Sequence, residues 1–156
     1  LVNRLKAVRD EAFTRETSRL RQGGLIRAPH VQWFHVEDRF EPMGVKMIGV
    51  FCDLVKKMDF IDPRKYLAGF QAIPARVPGF GDIPMDQVKI SMRVPPALEN
   101  PIREGRIPGL DVLLPEATSR LGGFSDACHS LTAATTVQRG AEQRLIAELE
   151  GLLAGQ

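Results

Sequence analysis

The sequence has almost no cysteine, few aromatic residues and no long apolar run. Only Cys52 and Cys128 occur among 156 residues, which excludes a disulfide-stapled scaffold and suits a reducing, cytoplasmic setting. Aromatic residues make up 6%, and no stretch approaches the roughly 20 apolar residues that a membrane-spanning helix requires. An excess of charge of one sign is missing as well. The 21 Lys and Arg against 19 Asp and Glu leave a formal charge of +2, too small a field to capture nucleic acid non-specifically. Any anion has to be held by local groups. Two-metal hydrolysis needs several carboxylates and imidazoles around ions about 3.5 to 4 Å apart. The three histidines, His30, His35 and His129, stand in no D-H-H or H-x-x-x-H arrangement, so neither a metal site nor a catalytic centre is expected in this chain. A phosphate-binding P-loop and a dinucleotide fingerprint are also absent. The lone G-x-G, Gly79-Phe80-Gly81, lies in a Pro-rich stretch and not between a strand and a helix.

What is present fits one domain core, with 44% hydrophobic residues. The chain opens at Leu1 with charged residues close behind and no apolar secretory core, so further residues are expected before Leu1 and a signal peptide is not. Leu1, Val2, Leu5, Val8, Ala12, Phe13 and Leu20 fall in one stripe at helical spacing, and Gly23-Gly24 stops that helix. Residues 1–24 are expected to form a connector helix from an upstream domain, and residues 25–156 a separate domain.

Residues 31–36 (VQWFHV) predict a strand, and residues 42–58 a largely buried helix with Pro42 in its first turn. Residues 66–73 predict a second strand and residues 74–84, with three prolines and two glycines, a surface loop. The third strand, residues 87–94, has the clearest pattern: Val88, Ile90, Met92 and Val94 alternate with Gln87, Lys89, Ser91 and Arg93. A helical region broken by Pro101, Pro108 and Pro115 follows. Its last helix is expected over residues 115–121 and stops at Gly122-Gly123. Residues 130–137 predict a fourth strand and residues 140–153 a closing helix. The order α-β-α-β-β-α-β-α implies an α/β fold: a mixed sheet of about four to five strands flanked by helices.

Two constellations bear on chemistry. Alternate strand residues share a face about 6.6 Å apart, so Lys89, Ser91 and Arg93 form a row of donors suited to an anion. The same alternation also describes an ordinary solvated strand face. The second is Gly122-Gly123-Phe124-Ser125-Asp126-Ala127-Cys128-His129, where a helix turns through glycines toward a strand and can aim amides and an imidazole at a phosphate. A histidine at a strand start also serves as a plain structural residue. Adjacent strand residues point to opposite faces, which argues against a Cys128–His129 catalytic pair. Trp33 and Phe34 can stack on a base, though core packing is their commoner use.

The run Val88-Lys89-Ile90-Ser91-Met92-Arg93, a helical segment, then a Gly-Gly loop leading to His129 and Thr132-Ala133-Ala134 resembles the C-terminal domain of the DHH-family phosphoesterases. There a V-K-x-S-x-R strand precedes a G-G-G-H turn and an x-x-A-A-G segment. The family includes RecJ-like exonucleases, oligoribonucleases and exopolyphosphatase-related proteins. The resemblance implies a substrate-binding domain for single-stranded nucleic acid, oligonucleotide or a related phosphate ester. Catalysis, with manganese or magnesium, would belong to a DHH domain absent from this chain. Ser91, Arg93 and His129 match family positions, Lys89 lies in the same row, and Gly122, Gly123 and Ser125 lie on the approach. On that basis Arg93→Ala is expected to weaken binding by about 1.5 to 3 kcal/mol and leave the fold intact. The chain departs from the pattern at Asp126-Ala127-Cys128, where glycines are usual, and at Ala134. Those departures leave open an interaction module that keeps the fold, forms a homodimer or recruits a partner, and binds no ligand.

Overall fold

A computed structural model describes residues 2–40, 43–73, 76–77, 81–82, 87–123 and 125–155. The fold is mixed α/β. Helix α1 (Val2–Arg19) leads through a wide turn at Leu20–Gly24 to β1 (Ile26–Arg27) and β2 (Val31–His35). Next come α2 (Met47–Val55), β3 (Tyr66–Ala72), the short strands β4 (Arg76–Val77) and β5 (Gly81–Asp82), and β6 (Gln87–Arg93). The chain closes with α3 (Pro96–Arg103), α4 (Leu110–Arg120), β7 (Ser125–Cys128), β8 (Thr132–Gln138) and α5 (Glu142–Ala154). Six strands form one sheet in the order β1-β2-β3-β6-β8-β7. The β2–β3 pair is parallel and joined through α2, and the remaining pairs are antiparallel. The four long strands lie within two residues of their predicted limits.

Alternation gives the sheet two apolar faces and therefore two cores. Val31, Trp33, Phe70, Ile90, Met92 and Val137 face one side and pack with residues of α3, α4 and α5. Phe34 and Leu67 face the other and pack with Phe13 and Leu20 from the first helix and its turn, and with Ile48, Phe51 and Cys52 of α2. Trp33 and Phe34 are thus core residues, 8% and 0% exposed.

Three expectations are corrected. Helix α4 starts at Leu110 and runs through Pro115; the burial of Leu110, Leu113, Leu114 and Ala117 outweighs the hydrogen bond that an interior proline removes. Helix α2 is shorter than expected, Pro42 lies outside the described residues, and Val50 and Leu54 are 40% and 46% exposed, so its buried arc is narrower. Most of residues 74–84 lies outside the described set, but Arg76–Val77 pairs antiparallel with Gly81–Asp82 as a small ribbon.

Polar ties fix the outer helices. The buried Glu16 carboxylate accepts from Arg39 Nε at 2.8 Å and Arg19 Nε at 2.6 Å, and both guanidinium groups also donate to the His35 carbonyl. The C-terminal half of α1 is thereby locked to the end of β2, whereas Arg4, Lys6, Ala7 and Val8 are exposed. On α5, Glu150 accepts from the backbone N–H groups of His30 and Val31 and meets His30 Nδ1 at 2.8 Å. Glu142, about two turns earlier on α5, meets His35 Nε2 at 3.0 Å. No helix among the described residues is long and apolar enough to cross a membrane.

Candidate nucleic-acid interface

The β6 row forms as the alternation requires. In register, Lys89, Ser91 and Arg93 stand opposite Thr136, Ala134 and Thr132 of β8 and opposite Gln71, Gly69 and Leu67 of β3, so all nine residues share one face of the sheet. Helix α2 covers part of that face. A Cβ on Gly49 would lie 2.9 Å from Arg93 Nη2 and 3.5 Å from Ser91 Oγ, so the helix backbone sits directly against the row and a larger residue at 49 would displace the Arg93 guanidinium. Ser91 and Arg93 are 2% and 8% exposed. The Arg93 guanidinium donates from Nε to Asp53 at 2.6 Å, from Nη1 to its neighbour Met92's carbonyl at 2.8 Å and from Nη2 to the Gly49 carbonyl at 3.4 Å. Arg93 is therefore a tie between β6 and α2. Its removal takes away the hydrogen bonds to Asp53 and Gly49 that join the strand to the helix, so Arg93→Ala is expected to lower stability as well as any binding.

The other half of the face is accessible. Lys89, Ala134 and Thr136 are half-buried, and Thr132 and Gln138 are exposed. His129 is exposed in the β7–β8 turn, where its backbone N–H donates to the Thr132 carbonyl at 2.7 Å. It thus lies at the Arg93 end of β6. Gly122 and Gly123 lie at the opposite end, beside Gln87 and Gln138, roughly 20 Å along β8 from Thr132 at about 3.3 Å per residue. Strand β7, which begins at Ser125, pairs along the outer edge of β8.

The glycine pair has a definite local task. Gly122 N–H donates to the Ser119 carbonyl and Gly123 N–H to the Thr118 carbonyl, with Gly122 at φ 79°. This is the glycine closure of a helix C-terminus, and it satisfies carbonyls that α4 leaves unpaired. Both amides face the helix, so the expected use of this loop as a donor nest for phosphate lacks those two donors. Beside it lies a cleft of about 490 Å³, bordered by Gln87, Thr136, Gln138 and Arg144. Sequence reasoning missed Thr136, Gln138 and Arg144. The alternation of Thr132, Ala134 and Thr136 in β8 was a legible signal for the first, but nothing local announces that the start of α5 meets the ends of β6 and β8.

Two acid groups on the core faces are shifted by their surroundings. Burial pushes the Cys52 thiol up from 9.0 to about 12, against the pull of the nearby Arg93. Burial likewise raises the Tyr66 phenol from 10.0 to about 12. Among the described residues, no group of three His, Cys, Asp or Glu side chains is placed to hold a metal ion.

The fold is similar to that of the C-Ala domain from Aquifex aeolicus alanyl-tRNA synthetase, with a TM-score of 0.54 and 7% identity, over 83% of this chain and 96% of that one. At that identity the likeness concerns the fold alone. No protein-family model matches the sequence, and no curated protein matches it.

Proposed function

We propose that this chain is the substrate-holding domain of a metal-dependent DHH-type phosphoesterase of the cytoplasm. It would present single-stranded nucleic acid, an oligonucleotide or a related phosphate ester to a catalytic domain carrying manganese or magnesium. The observation that carries this is the accessible half of the sheet face, where Lys89 supplies charge, Thr132 and Thr136 supply hydroxyls, and His129 stands at one end. Backbone phosphates are met by such donors at little demand on sequence. The V-K-x-S-x-R strand and the histidine of the following turn support the family, and a domain of a tRNA synthetase as a structural neighbour agrees with a nucleic-acid ligand.

The test is fluorescence anisotropy with a labelled single-stranded oligonucleotide and the full 156-residue chain. Lys89→Ala is expected to weaken binding several-fold and to lower the slope of log affinity against log salt by about 0.7, the share of one phosphate contact on a single strand. His129→Ala weakens binding with a smaller effect on the slope. Affinity untouched by both substitutions overturns the proposal. A second reading, a non-catalytic interaction or dimerisation module, is favoured by the engagement of all three Arg93 nitrogens within the protein. A stable dimer by light scattering, with no response to oligonucleotide, would select it.

A further inference from the structure

We propose that the strand-binding face selects RNA over DNA, and that Gln71 accepts a hydrogen bond from the ribose 2′-hydroxyl next to the phosphate held by Lys89. That preference deepens the function proposed above and rests on it. In register, Gln71, Lys89 and Thr136 form one row across β3, β6 and β8, on the face of the sheet that α2 partly covers. The Gln71 Nε2 donates to the Gly44 carbonyl at 3.0 Å, three residues before α2 begins. A carbonyl can only accept, which fixes the orientation of the amide and turns its oxygen away from Gly44. That oxygen, Oε1, is buried without a hydrogen-bond partner, in a residue 1% exposed. Buried polar atoms are nearly always paired, so this orphan acceptor points to a donor that a ligand brings.

The surroundings specify what carries that donor. Lys89 stands directly opposite Gln71, with Cβ atoms about 4.5 to 5.5 Å apart by the geometry of paired strands, and its ammonium calls for an anion. The start of α2 lies at the same end of the sheet and has no side-chain cap among the described residues, so its positive end favours the same charge. The row therefore asks for an anion with a donating hydroxyl beside it. In a ribonucleotide the 2′-hydroxyl and the 3′-phosphate hang from neighbouring ring carbons, and deoxyribose lacks the hydroxyl. A phosphate on Lys89 thus brings a 2′-hydroxyl to Gln71 Oε1. Thr136, on the other side of Lys89, offers a hydroxyl to a further phosphate oxygen. The way in is open on the Gly44 side, where the residue is exposed and a Cβ would meet nothing within 4 Å. On binding, the half-buried Lys89 chain moves onto the phosphate and yields the space beside the amide.

The test is fluorescence anisotropy of the full chain with a single-stranded oligonucleotide of one sequence, made as RNA, as DNA and with 2′-fluoro sugars. RNA is expected to bind about fivefold tighter than DNA, the share of one hydrogen bond. The 2′-fluoro strand keeps the sugar pucker of RNA but cannot donate, and should bind like DNA. Gln71→Met, which keeps the length of the side chain and removes the acceptor, should erase the preference for RNA. That variant also loses the bond to Gly44, so its thermal unfolding is measured alongside. Where it fails to fold, the comparison of RNA with the 2′-fluoro strand on the parent protein decides alone. Equal affinity for RNA and DNA, a 2′-fluoro strand that binds as tightly as RNA, or a preference for RNA that survives in folded Gln71→Met overturns the role of Gln71. Equal binding of all three strands that still weakens in Lys89→Ala leaves the earlier proposal standing, and no binding of any strand removes both.

Discussion

At the scale of single residues, Tyr66 and Cys52 are neutral acids whose burial delays the loss of their protons. The Tyr66 hydroxyl donates to the Pro108 carbonyl at 2.6 Å, and Cys52 is fully buried on the inner side of α2. With both groups raised from 9.0 and 10.0 to about 12, the unfolded chain releases protons that the folded chain keeps. Their contribution to stability is whole below pH 9 and declines as pH rises toward 12. Denaturant midpoints measured from pH 8 to pH 11 should therefore fall. Tyr66→Phe should lower stability at neutral pH by about 1 kcal/mol, since it leaves a carbonyl without its donor, and should flatten the alkaline decline. An identical decline in the Tyr66→Phe, Cys52→Ala double variant would assign it to other groups. Burial of Cys52 was legible in the apolar run around it. The partner of Tyr66 was not, because Pro108 is 42 residues away along the chain.

At the scale of elements, the four long strands were legible because each has a periodic or β-rich segment of five to seven residues. The two-residue β1 carries no pattern that a sequence can show. Prolines misled more than they informed. Pro101 and Pro115 both lie inside helices, since a proline weakens a helix without forbidding one whose apolar stripe is well packed. The first helix illustrates the opposite limit. Its apolar stripe was visible, but the groups that orient it are polar: Glu16 buried between Arg19 and Arg39, whose side chains are 38% and 39% exposed. Glu16→Ala leaves two guanidinium groups facing each other and is expected to destabilise the domain by about 2 to 3 kcal/mol, with solvent around the arginines holding the loss below that of a fully buried pair. Urea unfolding of Glu16→Ala beside Glu16→Gln, which keeps part of the hydrogen bonding and should lose less, checks this. Equal stability of both variants and the parent would mean that α1 is held by Phe13 and Leu20 alone.

At the scale of the whole molecule, the mixed sheet with helices on both faces was legible from the order of segments. The site was legible only in part. Alternation placed Lys89, Ser91 and Arg93 on one face, as found. It could not show that α2 lies over two of the three, since that depends on Gly49, 42 to 44 positions earlier, meeting β6 at close range. Nor could spacing reveal that His129 and Gly122, seven residues apart, stand at opposite ends of β8, because β7 spans the distance between them.

The tie between Glu150 and His30 has a consequence for how the domain forms. It joins positions 120 residues apart, whereas β3 and β6 pair across about 16 to 26 residues. Closing so long a loop has to follow the pairing of the central strands, which first bring its ends together. Contacts made after the transition state govern the rate of opening and hardly touch the rate of closing. Stopped-flow folding of Glu150→Ala should accordingly show faster unfolding with a nearly unchanged refolding rate. Slower refolding would place the joining of the two chain ends early in the pathway. In the expected case, the last helix acts as a latch on a sheet that has already assembled, and it sets how long the native state lasts.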